Sequence, residues 1–222
     1  MTQYSESDGE RKEYFEAEMH YNRQFNAHNL SGTLKYTQDS KVQTQNIGGD
    51  VKNSIARRHL GLAGRVAYNW NNRYFVNFNF GYTGSENFAP GNQFGFFPAY
   101  SAAWNIAEEP FIKNHLKWMD MFKFRYSWGK VGNDQMNRRF PYLYTIGAGG
   151  TDYNWGDYNF DNKYSSIRYT QPGSPNITWE IAKKHDAGLD MSLFRDLFSL
   201  TVDYFHEQRD GIFMERRYLP YT

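Results

Sequence analysis

Residue types able to do acid–base, nucleophilic or metal chemistry are present in this 222-residue sequence, but their spacing does not assemble a reaction centre. Glu108 and Glu109 are adjacent carboxylates, and acid–base catalysis needs two such groups converging on one bond. Neighbours in a turn point apart, so the pair reads as anions at a helix N-terminus, where the helix dipole favours them. His20, His28, His59, His115, His185 and His206 form no HExxH or comparable ligand pattern and read as strand or turn residues. Asp157-x-Asn159-x-Asp161 begins like a calcium loop. However, Asn162 stands where the sixth-position glycine belongs and Arg168 where the twelfth-position acid belongs. Cysteine is absent, which removes thiol nucleophiles, disulfides and thiolate metal sites. No catalytic residue, metal ion or cofactor is therefore expected, and the chain does not read as an enzyme. Asn29-Leu-Ser31 and Asn176-Ile-Thr178 match N-glycosylation sequons.

Recognition chemistry is better represented. In the stretch from Asn133 to Ser174, Tyr153, Trp155, Tyr158 and Tyr164 are interleaved with Asp152, Asn154, Asp157 and Asn159. Rings beside amides and carboxylates can stack on sugars and hydrogen-bond their hydroxyls, so these four rings are the candidate ligand contacts. The competing reading is a self-packed loop near an aromatic belt.

The chain that must position these residues is unusual in composition. Its mean hydropathy is −0.82, yet 18 Tyr, 18 Phe and 6 Trp carry its apolar surface. A soluble core would favour Leu, Ile and Val. The 25 basic and 24 acidic residues leave a net charge of +1, which gives no electrostatic footprint for nucleic acid or an anionic membrane surface. The opening MTQYSESDGERK has no apolar h-region, so no signal peptide is expected in this stretch. No window reaches 18 consecutive apolar residues, which excludes a membrane-spanning helix but not a β-barrel.

A period of two runs through almost every segment. Strands are expected from Glu13 to Phe25, from Leu30 to Tyr36, from Leu60 to Trp70, from Tyr74 to Tyr82, from Phe94 to Ile106, from Phe122 to Gly129, from Ile177 to Leu193 and from Phe198 to Ile212. Rings and aliphatics occupy one face, Trp179 among them. The other face carries Asn77, Asn79, Lys123, Arg125, Asp186 and Asp190. Pro98 cannot donate to a ladder, so a bulge or strand end is expected there. Short connections at 26–28, 71–72 and 194–197, with an intermediate one at 107–117, alternate with longer ones at 38–58, 83–93 and 130–176. In an up-and-down sheet this puts short turns at one end and long loops at the other, as in outer-membrane barrels. Most strands are long enough to cross a bilayer when tilted. The six polar residues would then face a lumen and tune transport selectivity. A soluble β-sandwich or carbohydrate-binding module remains the alternative from pattern alone, and it would bury rings such as Phe78 and Phe124.

GSENFAPGNQFGFFPAYSAAWNIAEEPF, residues 84–111, resembles the strand, loop, strand and turn that mark the SusC/RagA-type TonB-linked outer-membrane receptors of Bacteroidetes. LGLAGRVAYNWNNRYFVNFNFGYTGSE, FKFRYSWGKVGND and WEIAKKHDAGLDMSLFRDLFSLTVDYFHEQRDGIF resemble further segments of that family, in its order. The resemblance implies an all-β, antiparallel, transmembrane up-and-down β-barrel segment of about eight strands, part of a larger plugged barrel in the bacterial outer membrane. In that membrane the two sequons would be coincidental. It implies a polar stretch over 1–12, the partial barrel over 13–215 and a loop over 216–222. It further implies import of a nutrient such as a glycan oligosaccharide or a peptide. The implied partners are outer-membrane lipid, a SusD-like surface lipoprotein and TonB, and nucleic acid is not among them. A self-contained eight-stranded barrel, structural or lipid-modifying, is the alternative, and it requires the first and last strands to pair.

Overall fold

A computed structural model describes residues 9–43, 55–136, 139–148, 153–155, 162–164 and 166–214. Eight long strands form one antiparallel sheet: β1 (Glu10–Phe25), β2 (His28–Gln43), β3 (Arg57–Trp70), β4 (Tyr74–Ser85), β5 (Phe94–Asn105), β6 (Met119–Asn133), β11 (Glu180–Leu193) and β12 (Phe198–Asp210). Each pairs with its sequence neighbour except that β6 pairs with β11 across the inserted segment. Inside that segment β7 (Thr145–Ala148) pairs with β10 (Ile167–Gln171), and β8 (Tyr153–Trp155) pairs with β9 (Asn162–Tyr164). The only helical pieces among the described residues lie between β5 and β6: a 3-10 turn, Ile106–Glu108, and the single turn α1, Pro110–Lys113.

The short turns follow from residues that tolerate left-handed backbone. Asn71 and Asn72 both have positive φ, 50° and 55°, in the three-residue connection between the ladder partners Trp70 and Tyr74, and asparagine tolerates that backbone. Asn26 does the same between β1 and β2. The β11–β12 turn places Phe194, Arg195 and Asp196 at φ of 57–63°. The Asp120 carboxylate accepts hydrogen bonds from the backbone N–H of Arg195 at 2.6 Å and of Asp196 at 3.3 Å, which holds that turn against the base of β6.

The sheet is open. β1 and β12 are its edges and do not pair with each other, so the self-contained eight-stranded barrel is not what these strands build. The sheet also has no apolar core of its own. Phe124 is 49% exposed and Phe78 is half-buried, where a soluble sandwich would bury both. The buried apolar residues among those described are Phe88, Ala107, Phe140 and Trp179, all outside the strands.

Three expectations are corrected. β2 runs on to Gln43 and β3 starts at Arg57, so the loop expected over 38–58 is shorter. Pro98 produces no shift in the β4–β5 register. Instead the β5–β6 ladder reaches only to Ala99, the residue after Pro98, and β6 continues paired to β11 alone. Trp179 does not join the ring-bearing row, because it lies ahead of β11 and packs on Phe88 and Phe97.

Candidate functional site

The strand register places all six predicted polar residues on one face. Asn77 aligns with Ser101, Ser127 and Asp186 across four strands, and Asn79 lies two residues further along β4. Asn77 Nδ2 donates to Ser101 Oγ at 3.1 Å. Arg125 is the centre of this face. Its Nε donates to Asp190 at 3.1 Å and its Nη1 to Asp186 at 3.4 Å, while Nη2 bonds Asp203. Gly188 makes the arrangement possible. It is the cross-strand partner of both Arg125 and Asp203, and a Cβ there would stand 2.5 Å from the guanidinium carbon and from the Asp203 carboxylate.

Lys123 does not reach Asp190, its register partner, in an ion pair; its ammonium sits 4.4 Å from the centre of the Phe75 ring. Phe75, Asn77, Ser101, Lys123, Arg125 and Asp186 border a shallow hollow of about 290 Å³. Two cations face three carboxylates here, leaving one surplus negative charge. The groups can orient a polar or cationic solute by hydrogen bonds and charge. Asp203 was not singled out from sequence. Its signal was its spacing from Tyr204, since alternation puts it on the polar face.

The opposite face carries the rings. Near the short turns His28, Trp70, Tyr74 and Trp104 stack in succession, with centroids 5.6–6.3 Å apart. Further along the strands, towards the loops, Tyr82 stacks on Phe94 and Tyr100 on Trp128. Phe78, Phe80 and Phe96 continue the rings between these levels beside Val76 and Ala102, and an apolar, ring-rich face of this kind matches the outward surface of a membrane barrel. Trp128 lies in the cross-strand row of Phe78, four residues along β4 from Tyr82. The upper ring level thus drifts across the sheet, as tilted strands require.

At the turn end Glu109 is 8% exposed. Its Oε1 accepts from Tyr74 Oη at 2.7 Å and Trp104 Nε1 at 3.1 Å, and Arg73 stands 3.8 Å from Oε2. The hydrogen bond from Tyr74, then that from Trp104, holds the carboxyl below its ordinary value of 4.5. Glu109 occupies the N-cap position of α1, but its side chain makes no capping bond. The predicted capping role is thus corrected: the carboxylate turns back to the two ring donors instead. Glu108 pairs with Lys113 at 2.7 Å.

At the loop end Phe88 is fully buried against Trp179, with ring centroids 4.9 Å apart, and Phe97 packs edge-on to Trp179 at 5.1 Å. Gly95 and Gly132 leave the room that the Phe97 ring fills. Arg139 ties the inserted segment to the rest, bonding Glu86 at 2.6 Å and the Ile55 carbonyl at 3.1 Å. Of the rings predicted to contact ligand, Tyr153 and Trp155 lie in β8 and Tyr164 in β9, with Tyr153 opposite Tyr164. Tyr158 lies outside the described residues, as do Asp157, Asn159 and Asp161. Among the described residues no three metal-ligating side chains converge.

No family model matches the chain. It is 27% identical over 230 aligned positions to TonB-dependent receptor P3 of Formosa agariphila, covering 91% of this chain and 22% of that protein. It is also 27% identical over 186 positions to TonB-dependent receptor SusC of Bacteroides thetaiotaomicron, covering 82% of this chain and 17% of that one. Solved structures of the RagAB peptide importer share the fold. The closed-closed state superposes with a TM-score of 0.67 at 15% identity, over 90% of this chain and 24% of the importer chain. The open-open state gives 0.65 at 16% identity. The chain thus spans about a fifth of the length of the curated relatives it matches.

Proposed function

As a barrel segment of the SusC/RagA type of TonB-dependent receptor, this chain forms, we propose, part of the outer-membrane wall through which the whole receptor imports a nutrient such as a glycan oligosaccharide or a peptide. The observation that carries the reading is the division of one sheet into two faces. Rings at two levels face one way, and Asn77, Asn79, Lys123, Arg125, Asp186, Asp190 and Asp203 face the other. Lipid outside and water inside is the environment in which both faces are satisfied.

In this reading residues 13–215 are barrel, 1–12 a polar lead and 216–222 a loop. The polar face lines the lumen and its charges tune selectivity. The role is transport rather than catalysis. The inserted segment, with Tyr153, Trp155, Tyr158 and Tyr164, lies on the extracellular side, where it contacts the nutrient or a SusD-like lipoprotein lid. TonB supplies the energy.

Cell fractionation tests the placement. The receptor is expected in the outer-membrane fraction and requires detergent for extraction; recovery in soluble form without detergent would overturn it. Uptake tests the transport. Arg125→Ala is expected to change the rate or preference of nutrient import in cells that insert the receptor at normal level, and unchanged uptake across all nutrients would remove the polar face from selectivity.

A further inference from the structure

We propose that the ring-bearing face of β6, β11 and β12 holds, at its loop end, the phosphorylated headgroup of an outer-leaflet lipid, a proposal that rests on the outer-membrane placement above. Lys130 and Lys183 are direct cross-strand partners on this face. Like charges so placed repel and destabilise the pair unless an anion lies between or beside them. A single carboxylate answers them: Lys183 Nζ pairs with Asp210 at 2.8 Å. The Lys130 ammonium instead leans back toward Trp128, 5.8 Å from its ring centre. The row therefore has a surplus positive charge.

The next row along the strands, away from the loop end, is Trp128, His185 and His206, with Tyr126 Oη 2.9 Å from His185 Nδ1 and Tyr100 stacked on Trp128. These donors and rings border the two lysines on the membrane side. Beyond them the same face carries Phe124, Leu189 and Val202, which share one cross-strand row and contain no charge.

The order along each strand is thus cations, then polar rings and imidazoles, then hydrocarbon. A lipid with an anionic head and acyl chains has the same order of chemistry along its length. A free phosphate would use only the first row, whereas a phosphorylated lipid uses all three. Its phosphate would offset the Lys130–Lys183 repulsion that Asp210 answers only in part, and its chains would lie along the Phe124, Leu189 and Val202 row.

The test uses the receptor extracted from the outer membrane in detergent, with native mass spectrometry counting retained lipid. The probes are a diphosphorylated acylated disaccharide of the lipid A kind and the same disaccharide without phosphates. Wild-type protein is expected to retain the phosphorylated form preferentially. Lys130→Gln and Lys183→Gln should each weaken that retention about fivefold, the contribution of one cation near an anionic lipid surface. Arginine at either position should restore it, and Lys113→Gln, at the turn end, should leave it unchanged.

Equal retention of the two disaccharides overturns the proposal, as does unchanged retention in the double variant. Displacement by inorganic phosphate as readily as by lipid would overturn it too, by showing a site for the free anion. A heat-dependent shift in gel mobility verifies that each variant is folded. Recovery of the receptor without detergent would sink the membrane placement itself, whereas failed lipid retention in a detergent-extracted receptor sinks only this inference.

Discussion

The two ends of the sheet are fastened by opposite kinds of chemistry. At the loop end the fastening is apolar: Phe88, Phe97 and Trp179 exclude water where the inserted segment returns to β11. At the turn end it is polar: Glu109 gathers Tyr74, Trp104 and Arg73 beneath α1. The contrast follows from what each end must hold. The strands described in the insertion pair only with one another and not with the main sheet, so holding it there calls for buried area, which acts without regard to direction. A short turn beside amphipathic rings already has Tyr and Trp donors pointing towards water, and one carboxylate satisfies two of them.

The largest effect is expected at the apolar end. Trp179→Ala removes the ring between Phe88 and Phe97 and should cost about 3–5 kcal/mol, read as a lower urea midpoint for the receptor in detergent. That loss should be insensitive to pH, and a marked pH dependence would break the contrast between the ends.

Glu109→Gln should lower the midpoint by less, and its effect should depend on acidity. Because the folded carboxyl lies below its ordinary value of 4.5, its contribution is complete above that value and disappears as pH falls through the lower, folded one. Urea titrations on either side of pH 4.5 should therefore show wild type and Glu109→Gln converging as acid is added. Curves that stay parallel would mean that Glu109 contributes nothing through its charge. Tyr74→Phe removes one donor and leaves Trp104 in place, so its change should be smaller still and in the same direction.

Asp203→Asn is expected to move stability least, because Arg125 keeps Asp186 and Asp190 and exposed ion pairs are weak. Under the proposed lumen placement it should instead alter which solutes enter, measured by competition between charged and neutral nutrients. A stability loss as large as that of Trp179→Ala would show the polar face to be a third fastening rather than a lining.

Alternation alone made the eight long strands, their order and the two faces legible, because a period of two assigns each side chain before any contact is known. Loop lengths alternating along the chain disclosed which end carries the insertion. The boundaries near Gln43 and Arg57 were not legible. Ser40, Lys41 and Gln43 are polar on both parities, and the ladder with β3 and β1 extends them where their own pattern is silent. Trp179 was misplaced for a related reason: parity extrapolates a strand that here begins only at Glu180. The ring acceptor Glu109 was hidden because Tyr74 and Trp104 are thirty residues apart and meet through register, which pattern reading does not supply. The hub at Arg125 was half-legible, since its carboxylates were on the predicted face but their convergence required Gly188 between them.

The insertion between β6 and β11 has a consequence for what this scaffold tolerates. Asn133 and Glu180 are ladder partners separated by 46 intervening residues (180 − 133 − 1), whereas Trp70 and Tyr74 are joined by three. Closure entropy grows only with the logarithm of length, so replacing a hairpin turn by that excursion adds about 2–3 kcal/mol and doubling it again adds about 0.6 kcal/mol. Excursion length is therefore a nearly free variable once the apolar clasp at Trp179 is in place, and the segment can be shortened, lengthened or exchanged while the eight-stranded frame keeps its register.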